Sequence, residues 1–365
     1  MEPSAAGKHA PALLALAAAL LFGLSAPLSK LLLAGIPPMF LTAFLYLGAG
    51  LGMLLLPLLS RENRREAPLS SREVPWVILM VLLDVLAPFL LLRGLERTTA
   101  ANASLLFNFE TVATSLVALL FFHEAIGKRM WLSLGIITAA SILLSIDFSH
   151  PGVWDFSTGS LLVLAACGCW GMENNCTRNM SAKSPAQIVV VKGVGAGGTA
   201  LVLAFLLDHP FPRSAAVIAP ALLLGFVSYG LSIFCYVKAQ RYLGAARTSA
   251  YYAAAPFIGV LLSMVILKEI PSWNFAAAAA LMLWGVRLAF RENHVHRHRH
   301  DALAHNHMHL HDDLHHGHAH NPPVRGWHSH EHVHEPCIHT HPHTPDLHHR
   351  HRHGQTAGDG SGATA

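Results

Sequence analysis

The chain has 365 residues, of which 53% are hydrophobic and 13% charged, with a mean hydropathy of +0.41 and a formal net charge of +4 with histidine neutral. Its polar residues gather after position 290, so the first 290 are more apolar than the average and exclude a soluble globular domain. Lipid satisfies no open backbone groups, and such a stretch calls for membrane-spanning helices of roughly 20 residues each.

Ten spans are expected, at roughly 11 to 33, 38 to 59, 74 to 95, 99 to 122, 130 to 147, 158 to 177, 186 to 207, 215 to 239, 247 to 268 and 272 to 290. The loops between them are short and carry Pro37, Pro38, Pro68, Pro151, Pro185, Pro210, Pro212 and Pro271, where helix breakers belong. The first span follows Lys8, outruns a signal-peptide core and contains Pro27 and Lys30, which fits an uncleaved first helix. The second holds Gly48 and Gly52 and the seventh Gly193 and Gly197, at the small-residue spacing that brings helices close.

Charges at membrane depth are few. Asp84 lies about ten residues into the third span and Glu110 about eleven into the fourth, each about 15 Å deep at 1.5 Å per residue. A charge there costs at least about 2.5 kcal/mol, so it faces the bundle interior or a wet cavity and marks a site for substrate or a coupling ion. Glu173 and Lys192 lie on consecutive antiparallel spans, about 6 and 9 Å from their shared loop, and are expected to form a structural ion pair. Asn108, Asn174, Asn175, Tyr229, Tyr251 and Tyr252 are the further candidates for a polar cavity, each also able to satisfy a helix contact. Cys167, Cys169, Cys176 and Cys235 fall in or at the ends of spans and Cys337 stands alone in the tail, so no disulfide framework is expected.

Lys and Arg set the orientation. With a cytoplasmic N-terminus the inside loops carry eleven of them, from Arg61 to Arg247, against five outside, so both termini are expected in the cytoplasm of a cell whose inner or plasma membrane holds the chain.

Residues 101 to 124 (ANASLLFNFETVATSLVALLFFHE) and 246 to 269 (ARTSAYYAAAPFIGVLLSMVILKE) echo one another. So do Phe22-Gly23 and Trp170-Gly171, Lys30 and Arg178, and Pro37 and Pro185. Two copies of five spans each must enter the membrane from opposite sides, an arrangement suited to exposing a central site alternately. The expected fold is an all-α membrane protein of ten helices in two inverted repeats, residues 1–147 and 148–290. Asp84 and Glu110 face Tyr229 and Ala255 in the second copy, so the repeated fold does not itself demand these acids.

Trp170-Gly171 followed by Arg178, the Ala-rich stretch ending in Pro256, and the acids Glu124 and Glu269 closing the two copies resemble EamA-type permeases of the drug/metabolite transporter superfamily. The resemblance covers roughly residues 11 to 290 and implies a secondary transporter with a central cavity. The first copy has Thr111 where Pro256 stands in the second, and Phe22 stands where a Trp is common.

From His294 to His353 the chain carries 23 histidines, many as His-x-His, with five prolines among them. With no apolar core to build, residues 291–365 are expected to be a disordered cytoplasmic tail. His294, His296, His298, His300, His305, His307, His309, His311, His328, His330, His332 and His334 are its candidate ligands for Zn, Ni, Co or Cu. His330-Glu331-His332-Val333-His334 matches a zinc-protease pattern, but that motif needs a folded helix and cleft.

The leading expectation is a transporter of a small metabolite or drug-like solute working by alternating access, with proton coupling through Asp84 or Glu110. One alternative is a transition-metal transporter with a metal-collecting tail, and another a membrane-anchored metal buffer or sensor. No nucleophile, phosphate loop or folded metal site suggests an enzyme, and no cofactor is required. Expected partners are the solute, the bilayer and a second copy of the chain; nucleic acid is not among them.

Overall fold

The computed structural model describes residues 5–55, 68–122, 127–147, 155–180, 183–243, 248, 251–290, 294–300, 303–309, 328–334 and 337–343. Glu124, Arg247, His311 and the remaining positions of the tail lie outside the described residues.

Up to residue 290 the backbone is almost wholly helical. The helices are α1 (Ala5–Gly23), α2 (Ser25–Leu32), α3 (Pro38–Leu55), α4 (Val74–Leu95), α5 (Ala100–Leu106), α6 (Phe109–Phe122) and α7 (Lys128–Ser145), then α8 (Thr158–Met180), α9 (Pro185–Leu206), α10 (Ala215–Leu224), α11 (Ser232–Leu243), α12 (Ala255–Leu267) and α13 (Trp273–Phe290). Between the two halves, β1 (Ile146–Asp147) pairs antiparallel with β2 (Asp155–Phe156). Polar side chains fix the helix starts. Ser70 and Glu73 form a capping box before α4, and Thr99 caps α5 by accepting from the Asn102 N–H. Ser184 precedes Pro185 at the first turn of α9.

Among the described residues, six helical segments are long and apolar enough to cross a membrane: Pro11–Leu32, Pro38–Leu55, Ser71–Leu95, Ala100–Phe121, Pro185–Leu206 and Ala215–Tyr236. At the other four expected places the helices are shorter or more polar. Ala255–Leu267 and Trp273–Ala289 are short apolar helices, α7 opens on Lys128 and Arg129, and α8 carries Glu173, Asn174 and Asn175. Length and composition of the described helices therefore support six of the ten expected spans.

Packing follows the repeat. Among the helix pairs in contact are α3 with α9, α4 with α8, α1 with α11, α7 with α13 and α5 with α12. Exchanging the two halves maps this set onto itself: α4 against α8 answers α11 against α1, and the other pairs join equivalent helices. Small residues allow the closest approach. A Cβ on Gly193 would lie 2.3 Å from the Gly50 backbone nitrogen, and one on Gly225 would lie 1.9 Å from the Leu45 carbonyl oxygen. From Gly225 to Leu231, one turn past Pro220, the backbone winds as a π-helix that carries Tyr229.

Both copies of the repeat at residues 101–124 and 246–269 break within their run. The first breaks at Phe107-Asn108, between α5 and α6, and the second just before α12, where Pro256 lies in the first turn. The first break needs no proline, because the Asn108 side chain donates a hydrogen bond back to the Leu105 carbonyl (3.0 Å) and competes with the helical pattern.

Parts of the tail, which the sequence gives no apolar core, fall within the described residues. Its described backbone forms β3 (His294–His300) paired with β6 (Cys337–His343), and β4 (Leu303–His309) paired with β5 (His328–His334), both antiparallel. Hydrophobic burial is not the only route to strand pairing: the His-x-His alternation is itself a period-two pattern that gives each face of a ladder one kind of residue.

Candidate functional site

Where α4 passes α8 and α9, four side chains meet. Asp84 is fully buried, and its Oδ1 accepts a hydrogen bond from Tyr46 Oη of α3 at 2.9 Å. Its Oδ2 lies 3.4 Å from Lys192 Nζ and makes no hydrogen bond of its own. Lys192 Nζ lies 2.9 Å from Glu173 Oε1, which also accepts from Thr177 Oγ1 one turn along α8. The sequence separates these residues into a coupling acid and a structural pair, whereas the structure joins them in one cluster. Tyr46 and Asp84 come from the first half, Glu173 and Lys192 from the second.

The charges do not balance. Two carboxylates share one ammonium, so with all three ionised the cluster carries one net negative charge in a desolvated interior, which is costly. A proton or a second cation would neutralise it.

The next residue of α8 serves the other acid. Asn174 Nδ2 donates to Glu110 Oε1 at 2.6 Å and to Thr114 Oγ1 at 3.3 Å, and Asn175 Nδ2 donates to the Thr114 carbonyl at 3.1 Å. Glu110 stands in the first turn of α6, just past the break at Phe107-Asn108. Consecutive positions on α8, about 100° apart around the helix, thus serve two different groups: Glu173 shares Lys192 with Asp84, and Asn174 binds Glu110.

An aromatic lattice fills the space nearby. Phe22 packs against Phe107, Tyr252 and Tyr229 with ring centroids 5.8, 5.7 and 6.1 Å apart, Tyr229 against Tyr46 at 5.5 Å, and Phe107 edge-on to Trp170 at 5.9 Å. Phe22, in the place where a Trp is common, is the hub of this lattice. The hydroxyls of Ser29, Thr42 and Ser104 are buried without hydrogen-bond partners among the described residues, whereas Tyr229 and Ser25 interact with each other. Asn108, besides breaking its helix, donates to Met282 Sδ at 3.6 Å, which ties it to α13. Tyr251 is 38% exposed and lies apart from Tyr252 and the lattice.

At the Leu95 end of α4 a cavity of about 550 Å³ is lined by Lys30, Arg97, Thr98, Asn102, Glu269 and Asn274, among others. The Glu269 carboxylate, from the second half, accepts the Ala100 and Ala101 N–H groups at 2.9 and 2.8 Å and so caps α5 of the first half. Lys30 Nζ donates to the Leu95 and Thr98 carbonyls. At the other end of α4, Lys183 lies 4.0 Å from Glu73, and the Leu69 N–H donates to Gln187 Oε1 at 2.8 Å. The halves are therefore tied to each other at both ends of α4. Among the residues whose side chains are described, no group of three His, Cys, Asp or Glu could hold a metal ion.

The sequence profile of the EamA-like transporter family matches residues 9–146 and again residues 157–291. The chain belongs to the EamA-like transporter family. An uncharacterized transporter of Methanothermobacter thermautotrophicus strain Delta H is 28% identical over 289 residues, covering 75% of this chain and 84% of the relative. The uncharacterized transporter YyaM of Bacillus subtilis strain 168 is 18% identical over 242 residues, covering 65% of this chain and 79% of the relative. A solved crystal structure aligns with a TM-score of 0.57 at 18% identity, covering 76% of this chain and 96% of that one, a likeness of fold. The protein is an integral membrane transporter.

In this transporter the residues that sequence reasoning missed are Tyr46 and Thr114, and it did not pair Asn174 with Glu110. Tyr46 sits in an otherwise apolar span with nothing beside it to mark a role, and Thr114 reads as one more small residue of a helix. The one available signal for Asn174 is the Glu173-Asn174-Asn175 run, three polar residues together inside a span.

Proposed function

We propose that this EamA-like protein is a secondary transporter that moves a small metabolite or drug-like solute by alternating access, with ten membrane crossings in two inverted five-helix halves and proton exchange at the Asp84 cluster. The observation that carries the proposal is the sharing of one buried ammonium by two carboxylates drawn from different halves. Movement of one half against the other changes the 3.4 Å contact between Asp84 and Lys192, and with it the electrostatic penalty that a proton on a carboxylate removes. Glu110, hydrogen-bonded to the residue after Glu173, is a second carboxyl able to respond to the same movement of α8.

Buried hydroxyls without partners on Ser29, Thr42 and Ser104, together with the aromatic lattice around Phe22, favour a solute with both apolar surface and hydrogen-bonding groups. The test is reconstitution in vesicles with an imposed pH gradient and a panel of labelled metabolites and cationic drugs. Solute flux driven by the gradient is expected for the wild type. Asp84→Asn and Glu110→Gln variants are expected to keep downhill exchange and lose uphill accumulation. Accumulation undiminished in both would remove proton coupling at these residues, and no flux for any solute would remove the transport reading as framed.

A further inference from the structure

The pairing of the tail strands sorts their residues by kind. In the β3–β6 ladder the alternate rungs are His294 with His343, His296 with His341, His298 with His339 and His300 with Cys337. The rungs between them are Val295 with Pro342, Arg297 with Thr340 and Arg299 with Ile338. In the β4–β5 ladder, Leu303 pairs with His334, His305 with His332, His307 with His330 and His309 with His328, and the rungs between hold no histidine. Successive residues of a strand belong to opposite faces, so each ladder has seven histidines at the positions of one face and none at those of the other. A slip of one residue would set every paired histidine against another residue type.

We infer from this juxtaposition of cross-strand histidine rungs that the tail ladders are binding sites for divalent transition-metal ions of the zinc, nickel, cobalt and copper class. Opposed Cβ atoms of an antiparallel pair lie about 4.5–5.5 Å apart, and the next position on the same face is about 7 Å along the strand. Imidazole nitrogens bind zinc at about 2.0–2.1 Å, and two rungs in succession bring four ligand-type residues to neighbouring positions of one face. His294, His296, His341 and His343 make one such all-nitrogen set, and His305, His307, His330 and His332 a second. His298, His300 and His339 with Cys337 make a set of three nitrogens and one sulfur, the most suited to softer ions. The register thus adds Cys337, His339, His341 and His343 to the positions that the His-x-His pattern singles out in sequence. Binding and pairing reinforce each other. Opposed imidazolium rungs repel, whereas a shared ion needs neutral imidazoles and holds both strands.

The experiment uses the full chain in detergent micelles, stripped of metal by a chelator that is then removed, and titrated with zinc chloride against a competing indicator dye. Backbone amide exchange is followed over residues 294–300 and 337–343. Two triple variants remove the same number of histidines: H339N/H341N/H343N within a ladder and H315N/H316N/H318N outside both. Wild type and the second triple are expected to bind zinc alike and to show slowed exchange in both segments when zinc is added. The first triple is expected to lose at least tenfold in affinity and that slowing. Equal losses in the two triples, or zinc binding without slowed exchange, would mean that histidine content alone holds the metal and would overturn the proposal. Because no arm uses transport, failure here is distinguishable from failure of the transport reading.

Discussion

Replacing Lys192 with Met keeps the side-chain volume close and removes the ammonium shared by Asp84 and Glu173. Lys192 Nζ is 2.9 Å from one carboxylate and 3.4 Å from the other, and the side chains of Asp84 and Glu173 are 0% and 3% exposed. Tyr46 Oη remains as a donor to Asp84, and Thr177 Oγ1 as a donor to Glu173, but neither carries charge. Breaking a buried pair by removing one partner costs about 3–5 kcal/mol, because a charge is left uncompensated in low dielectric. Here two carboxylates share that fate, so Lys192→Met is expected to destabilise by about 3–5 kcal/mol at pH 7. Protonating the stranded carboxylates relieves the penalty, so the loss should shrink as the pH falls toward about 4, where carboxylates begin to protonate even when exposed. The neutral triple variant Asp84→Asn/Glu173→Gln/Lys192→Met, with no charge left to compensate, should recover most of the loss. The assay is equilibrium unfolding in mixed micelles at several pH values, followed by tryptophan fluorescence. A single variant within about 1 kcal/mol of wild type, or a triple no more stable than the single, would refute the account of the cluster as one charge shared by two acids.

Two further expectations concern packing and capping. Gly225→Ala puts a methyl group 1.9 Å from the Leu45 carbonyl oxygen, a backbone atom that cannot swing aside, and should destabilise by about 1–3 kcal/mol, whereas Gly135→Ala meets nothing within 4 Å in the interior of α7 and should stabilise by about 0.5–1 kcal/mol; the same unfolding assay compares them. Glu269→Ala leaves the Ala100 and Ala101 N–H groups without their acceptor and should cost about 0.5–2 kcal/mol, read as faster amide exchange in Ala100–Leu106 with little change in α13.

Much of the helical architecture is legible in the sequence, because lipid leaves a chain few choices and apolar runs between prolines therefore become helices. The short and polar members of the series are harder to place. α12 has 13 residues because its copy of the repeat breaks at Pro256, and α8 carries Glu173, Asn174 and Asn175, polar residues that lower its hydropathy while holding the acids. The break at Asn108 is hidden, since nothing in Phe107-Asn108-Phe109 announces that a side-chain amide will turn back onto the Leu105 carbonyl. The candidate acids stand out by their depth, but their grouping does not. Depth along a helix follows from counting residues, whereas the meeting of Asp84 with Lys192 depends on how α4 and α9 are rotated about their axes, which a single sequence does not state. Tyr251 and Tyr252 show the same limit: adjacent residues point about 100° apart on a helix, and only Tyr252 reaches the lattice.

The cap on α5 also has a schedule. The Ala100 N–H is satisfied by a carboxylate that the ribosome adds 169 residues later. At synthesis rates of about 5–20 residues per second, the first turn of α5 waits roughly 10–30 s in the nascent chain before Glu269 exists. Until then the first half is a hydrophobic bundle with an exposed helix start, dependent on membrane-insertion factors or water to cover it. The completed transporter is thus sealed by its last interhelical loop, between α12 and α13, and truncation before Glu269 should leave a chain that cells recognise as unfinished.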